Sequence, residues 1–195
     1  MDAKYPSHQS NICRVAFLLG VLCLIAMLLA GCGAKEAPEM EVKKLSVSSS
    51  AFQDSDKIPA KYTCSVQDVS PPLSWSEPSS GVRSFVLIVD DPDALGGTFT
   101  HWIIFNIPSN SRGLPEAVPT QAQLSDGTTQ GKNDFGRIGY SGPCPPPGHP
   151  HRYQFTLYAL DQALDLKAGA SKRQVLDAMR EHILAQGQLT GTYQR

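Results

Sequence analysis

Ser84-Phe-Val-Leu-Ile-Val-Asp90 is an unbroken apolar run, rich in β-branched residues, with polar residues at both ends. A run of this length without alternation predicts a strand buried on both faces in the middle of a sheet. Working outward, His101 to Ile107 (HWIIFNI) and Tyr153 to Leu160 (YQFTLYAL) read as two further strands. Upstream, Lys44 to Phe52 (KLSVSSSAF) alternates in part and is expected to form a first strand. The Pro-, Ser- and Asp-rich stretch 54–81 reads as loop and short strand. Near the other end, Ser171 and Gln174 have the spacing of a capping box, and Val175, Met179 and Ile183 recur at helical spacing. Gly187 is expected to stop that helix, and Gln188 to Gln194 to close the chain as a last strand. Many strands with one late helix and no internal repeat predict a mainly β fold, an antiparallel β-sandwich with peripheral helices.

The polar residues gather at the ends of these strands. The buried run leads into Asp91-Pro-Asp93-Ala-Leu-Gly-Gly97, after which His101 opens the next strand. If the two strands are antiparallel neighbours, Asp91, Asp93 and His101 share one edge of the sheet. Simple alternation would put His101, Ile103 and Phe105 on one face and Trp102, Ile104 and Asn106 on the other. A second cluster, Gly142-Pro-Cys-Pro-Pro-Pro-Gly-His-Pro-His-Arg-Tyr153, sets a stiff, donor-poor loop directly before a strand. Its prolines could form a polyproline II ligand, but the flanking strand and His149, His151 and Tyr153 favour a pocket wall. Two histidines near two aspartates also permit a metal, although the spacing matches no metal signature and none is expected. No Gly-x-Ser-x-Gly elbow, Walker loop or dinucleotide fingerprint occurs in the soluble part, so no catalytic residue and no cofactor is assigned.

The chain has 195 residues with 17 Lys and Arg against 18 Asp and Glu, which leaves no basic footprint for a nucleic acid. Val15 to Ala30 is free of charge and follows Arg14. As a helix it would rise about 24 Å, short of the roughly 30 Å hydrocarbon core of a bilayer, so it reads as an export signal. Leu29-Ala-Gly-Cys32 has the form of a lipoprotein cleavage site, with Cys32 as the acylated new N-terminus. A soluble exported protein cut nearby and an uncleaved anchor helix are the alternatives, and both keep the remainder outside the cytoplasm. The expected organisation is a signal peptide over 1–31, lipidated cysteine and tether over 32–44, and one domain over 45–195. Export leaves Cys64 and Cys144 in an oxidising compartment, where a disulfide and two buried thiols both fit the sequence.

The two polar clusters resemble the ligand-loop motifs of the phosphatidylethanolamine-binding protein family, in its bacterial Raf-kinase-inhibitor-like branch. Asp91-Pro-Asp93-Ala94 followed by His101-Trp102 is similar to the first motif, and Gly142-Pro-Cys-Pro-Pro146 through His151-Arg-Tyr153 to the second. Tyr62-Thr-Cys64, Ser70-Pro-Pro-Leu-Ser-Trp75 and Gly191-Thr-Tyr193 also fit that branch. The resemblance implies a β-sandwich with a small anion-binding pocket. Its side-chain members would be Asp91, Asp93, His101, His151 and Tyr153, and its backbone wall Gly142, Cys144 and Pro145. Leu95 stands where many relatives carry a proline. Kinase inhibition by eukaryotic relatives involves cytosolic partners and does not carry over to an exported chain.

Imidazoles, a phenol and backbone N–H groups offer donors to a phosphate, while carboxylates accept from an ammonium. The expected partner is a phosphorylated or zwitterionic small molecule or lipid headgroup, with the membrane engaged through the lipid on Cys32. A protein–protein regulator of a protease or signalling enzyme is the alternative, and a metal-assisted hydrolase a lesser one.

Overall fold

The computed structural model describes residues 42–78 and 80–195. The export signal, Cys32 and residues 33–41 of the tether lie outside the described residues. Among the described residues there are nine strands, β1 (Lys43–Lys44), β2 (Val47–Ser48), β3 (Leu73–Trp75), β4 (Ser84–Asp91), β5 (Phe99–Pro108), β6 (Gly113–Leu114), β7 (Thr129–Gln130), β8 (His151–Leu160) and β9 (Ile183–Tyr193). A 3-10 turn (Ala60–Tyr62) and a helix, α1 (Lys172–Met179), accompany them among the described residues. The fold is mainly β, as the sequence predicts. A six-stranded sheet in the order β1-β9-β8-β4-β5-β7 faces a three-stranded sheet in the order β2-β3-β6. All pairings are antiparallel except that of β1 with β9.

β4 is the strand that the apolar run announces, with β8 on one side and β5 on the other. Its side chains alternate between two cores. Phe85, Leu87 and Val89 face inward with Trp102, Ile104, Phe155 and Leu157, against Leu73, Trp75 and Leu114 of the small sheet. Val86 and Ile88 face outward with Ile103 and Phe105, where Val175 and Met179 of α1 cover them. Every apolar position of this strand therefore has a partner layer, which is why it carries no polar alternation.

Three boundaries differ from expectation. The expected first strand divides into β1 and β2, because the chain pairs with β9 at Lys43–Lys44 and then crosses to β3 at Val47–Ser48. The sheet thus begins two residues before the expected start of the domain. α1 has the predicted capping box, with the Ser171 N–H donating to Gln174 Oε1 at 2.9 Å, but it stops at Met179. Ile183 opens β9, whose inward Ala185, Gly187, Leu189, Gly191 and Tyr193 alternate with polar residues and pair along the whole of β8. That period of two outweighs one further helical turn. Gly187 is a close-approach position, since a Cβ there would fall 2.3 Å from Leu45 O.

β5 carries two bulges. Asp90 pairs with Thr100 and Val89 with Trp102, which leaves His101 as the extra residue; farther along, Phe85 pairs with Ile107 and Leu87 with Ile104. At the second bulge Asn106 has φ 57° and clamps the Leu164 backbone, accepting from its N–H at 2.7 Å and donating to its carbonyl at 3.0 Å. A disulfide joins Cys64 to Cys144 across 80 residues of sequence and ties the proline-rich loop to the 3-10 segment.

Candidate functional site

The first bulge decides the site. Strict alternation would leave His101 on the outer face with Ile103, whereas the extra residue turns its ring inward, 5.2 Å from that of Tyr153 and nearly perpendicular to it. Thr100 takes the outer face instead, where its hydroxyl donates to Asp90 at 2.8 Å beside the Lys172–Asp90 ion pair at 2.7 Å. Adjacent aspartates consequently have different tasks. Asp90 ties the sheet to α1, and Asp91 enters the inner layer with His151 and Tyr153.

Asp91 is buried. Its Oδ2 lies 2.8 Å from His151 Nδ1, and its Oδ1 accepts from the Asp93 N–H at 2.9 Å. A carboxylate can only accept, so His151 Nδ1 carries the proton. His101 is tied the same way, with Nδ1 2.8 Å from Ser141 O and 3.1 Å from Gly142 O. Burial holds its pKa below the usual 6.5, against the opposing pull of those carbonyls and of Asp91. With both Nδ1 atoms donating inside the protein, each Nε2 is left for the cavity, and neither has a protein hydrogen bond among the described residues. His149 stacks on His151 from outside, with ring centroids 5.1 Å apart.

Beneath the cavity lies Tyr153, fully buried. Burial first, and then the neighbouring Asp91 carboxylate, drive its pKa far above the ordinary phenol value. The Asp91 carboxylate and the Cys144 N–H are both close enough to bear on the phenol as hydrogen-bond neighbours, yet the hydroxyl makes no hydrogen bond of ordinary geometry. A buried donor without a partner is costly and is a common mark of a site that a ligand or water completes.

The loop wall is held by backbone. Asn133 donates to His101 O at 3.2 Å, Gly139 O at 3.1 Å and the Ser141 hydroxyl at 3.0 Å, while the Ser141 N–H donates to His101 O at 3.1 Å. The Gly142 N–H donates to Asp68 at 2.6 Å. Gly142 must be glycine, because a Cβ would lie 2.3 Å from Tyr62 O.

Asp91, His101, Cys144, Pro145 and His151 line one cavity of about 170 Å³, together with Ala94, Leu95, Phe99, Phe135 and Pro146. That volume equals the liquid share of about five or six waters, room for a headgroup and not for a large metabolite. Asp93, Gly142 and Tyr153 do not line it. Asp93 turns outward and accepts from the Arg152 side chain at 2.6 and 2.9 Å, and that guanidinium holds its carboxyl well below the usual range. Its role is to fasten the loop to β8. Gly142 positions His101, and Tyr153 packs against the His101 ring behind the cavity lining. Cys32 is outside the described residues. Among the described residues no three His, Cys, Asp or Glu side chains converge as a metal would require.

Sequence reasoning missed Phe99, Phe135 and Asn133. Phe99 stands two residues before His101 and could have been included. Phe135 and Asn133 lie in a stretch without periodicity, and only the return of that segment past β5 brings them to the site.

A profile described as phosphatidylethanolamine-binding protein matches residues 48–194. The chain belongs to the phosphatidylethanolamine-binding protein family. It is 54% identical over 145 residues to a UPF0098 protein of Methanothermobacter thermautotrophicus, covering 74% of this chain and 95% of that one. Over 158 residues it is 39% identical to a Mycobacterium tuberculosis protein that carries the name lipoprotein LppC, covering 80% of this chain and 76% of that one. The crystal structure of the family homologue CT736 from Chlamydia trachomatis superposes with a TM-score of 0.71 at 40% identity, covering 78% of this chain and 99% of that one. Both polar clusters fall inside the family match.

Proposed function

We propose that this family member is an extracytoplasmic, lipid-anchored binding protein whose cavity takes a phosphate-like or phosphoethanolamine-like group and performs no chemistry on it. The observation that carries the reading is the convergence of two imidazoles with free Nε2 atoms and an unpartnered phenol around Asp91. A phosphate in the cavity would draw on the Cys144 N–H and on each imidazole Nε2 once that ring is protonated, since a neutral ring with its proton on Nδ1 can only accept there. Because the Asp91 carboxylate repels a bare anion, a zwitterion that also brings a cation suits the cavity better. The expected lipid on Cys32 would hold the domain at the cell envelope, and the lipoprotein name of the mycobacterial relative supports this. Leu95, 89% exposed at the rim, favours the second reading, a protein-binding surface.

Calorimetric titration of the purified protein with phosphoethanolamine, phosphate and ethanolamine tests the proposal. Binding of phosphoethanolamine that is lost in Asp91→Ala and His101→Ala supports it, and absence of binding by the intact protein overturns it. Pull-down of a specific partner without any small-molecule response would favour the second reading. For the anchor, Cys32→Ala should shift the protein out of the membrane fraction, and a protein that stays there is not held by a lipid on Cys32.

A further inference from the structure

Two phenylalanines and an imidazole stand together in the cavity wall, beside Ala94, Leu95, Pro145 and Pro146. Phe99, His101 and Phe135 form a three-ring corner, with centroids 4.7 Å apart for the two phenylalanines and 5.4 Å from each to the imidazole. The rings meet at 71°, 63° and 77°, so the corner presents ring surface in three directions. All three line the cavity, and Phe135 remains 43% exposed at its mouth. No lysine or arginine is in the wall, and the carboxylate of Asp91 is its one Asp or Glu side chain. Both Asp91 oxygens already accept hydrogen bonds, from His151 and from the Asp93 N–H.

These features discriminate between kinds of cation. A primary ammonium has three N–H donors and needs acceptors to replace the water it loses. Here the carboxylate is already engaged, and the phenylalanines offer no acceptor of comparable strength. A quaternary ammonium has no donors to satisfy. It gains from ring faces and from a nearby negative charge, and its methyl groups cover apolar wall.

We propose that the cationic end of the ligand is a methylated, quaternary ammonium seated against Phe99 and Phe135, so that the cavity takes a phosphocholine-like group in preference to a phosphoethanolamine-like one. This rests on the zwitterion reading above and names the ligand class within it. Phe135 is then a specificity-determining residue that touches the ligand's methyl groups.

The test is calorimetric titration of the full-length chain, purified in a sugar-headgroup detergent, with phosphocholine, phosphoethanolamine, choline and inorganic phosphate. Phosphocholine should bind about tenfold more tightly than phosphoethanolamine, the scale of one partly desolvated cation–π contact. Phe135→Leu, at a half-exposed position that folding tolerates, should bring that ratio to within about twofold, and Phe135→Tyr should restore it. Equal or tighter binding of phosphoethanolamine, or a ratio indifferent to Phe135→Leu, overturns the inference and leaves the zwitterion reading standing. Failure of all four probes to bind overturns both. Displacement of phosphocholine by dihexanoyl phosphatidylcholine would support the class and assign the headgroup to a lipid. Bound phosphocholine that the short-chain lipid cannot displace would support the class and assign a free phosphomonoester.

Discussion

The two walls of the cavity are built by different means. Asp91 and His151 stand on β4 and β8, neighbouring strands whose pairing runs unbroken from Ser84–Leu160 to Asp90–Gln154. Both stand just past the last pair of that ladder, where their side chains meet at 2.8 Å, with Tyr153 following on the same face. The opposite wall is a bulge and a loop. His101 is turned in by one extra residue, its backbone is held by Asn133 and Ser141, and Cys144 is held by a disulfide to a segment 80 residues away. A strand wall inherits its precision from the sheet, whereas a loop wall needs staples of its own.

The comparison can be broken most sharply at the disulfide. Replacing Cys64 and Cys144 by alanine frees a loop of 80 residues and should cost about 4 kcal/mol on the chain-entropy model. Urea denaturation should show that loss, and phosphoethanolamine affinity should fall with it because Cys144 lines the loop wall. On the strand wall, Asp91→Ala removes the partner of His151 and should cost about 2–3 kcal/mol, the scale of a buried hydrogen bond to a charged group. β4 and β8 should nevertheless keep their register, seen as unchanged amide-exchange protection in Val86–Val89. Asn133→Ala leaves the carbonyls of His101 and Gly139 and the Ser141 hydroxyl without this donor, and should cost about 1–2 kcal/mol. Ligand affinity should fall in that variant while the Asp91–His151 pair stays intact, a separation that ring-proton shifts of the two histidines can follow.

The pH response sharpens the contrast further. Burial depresses the pKa of His101, so the folded state favours its neutral form. Its contribution to stability is full above the usual 6.5 and is lost as pH falls through that value toward the folded pKa. Denaturation midpoints measured from pH 8 to pH 5 should decline on the acid side, and His101→Gln should flatten that decline. Bound phosphate should oppose it, because an imidazolium donates to the anion. The smallest effect belongs to Asp93→Asn. Its partner Arg152 is 57% exposed, so stability should change by no more than about 0.5 kcal/mol, and a larger loss would mean that the Asp93 loop also supports the strand wall.

Much of the strand wall was legible in the residues. The run Ser84–Asp90 implied a central strand, and the motif following it placed Asp91 at its mouth. The second motif brought His151 and Tyr153 to the adjacent strand. What misled was the assumption of uninterrupted alternation in β5, which put His101 on the wrong face. A bulge has no side-chain period of its own, and nothing in Phe-Thr-His-Trp-Ile declares which residue is extra. In the same way Ile183 extended a helical pattern that β9 overrode, because eleven residues of pairing with β8 outweigh one more turn of a short helix.

By itself, then, the sequence determined the β-rich class, the buried central strand, the capping box of the late helix and the residues that gather at the strand mouths. Those features depend on local periodicity and on motifs carried by consecutive residues. Only the tertiary structure decided which of the gathered residues face the cavity, because that choice rests on register and on segments far apart in sequence. It turned His101 inward, sent Asp93 outward to Arg152, sank Tyr153 beneath the floor and brought Phe135 from a stretch without pattern to the rim.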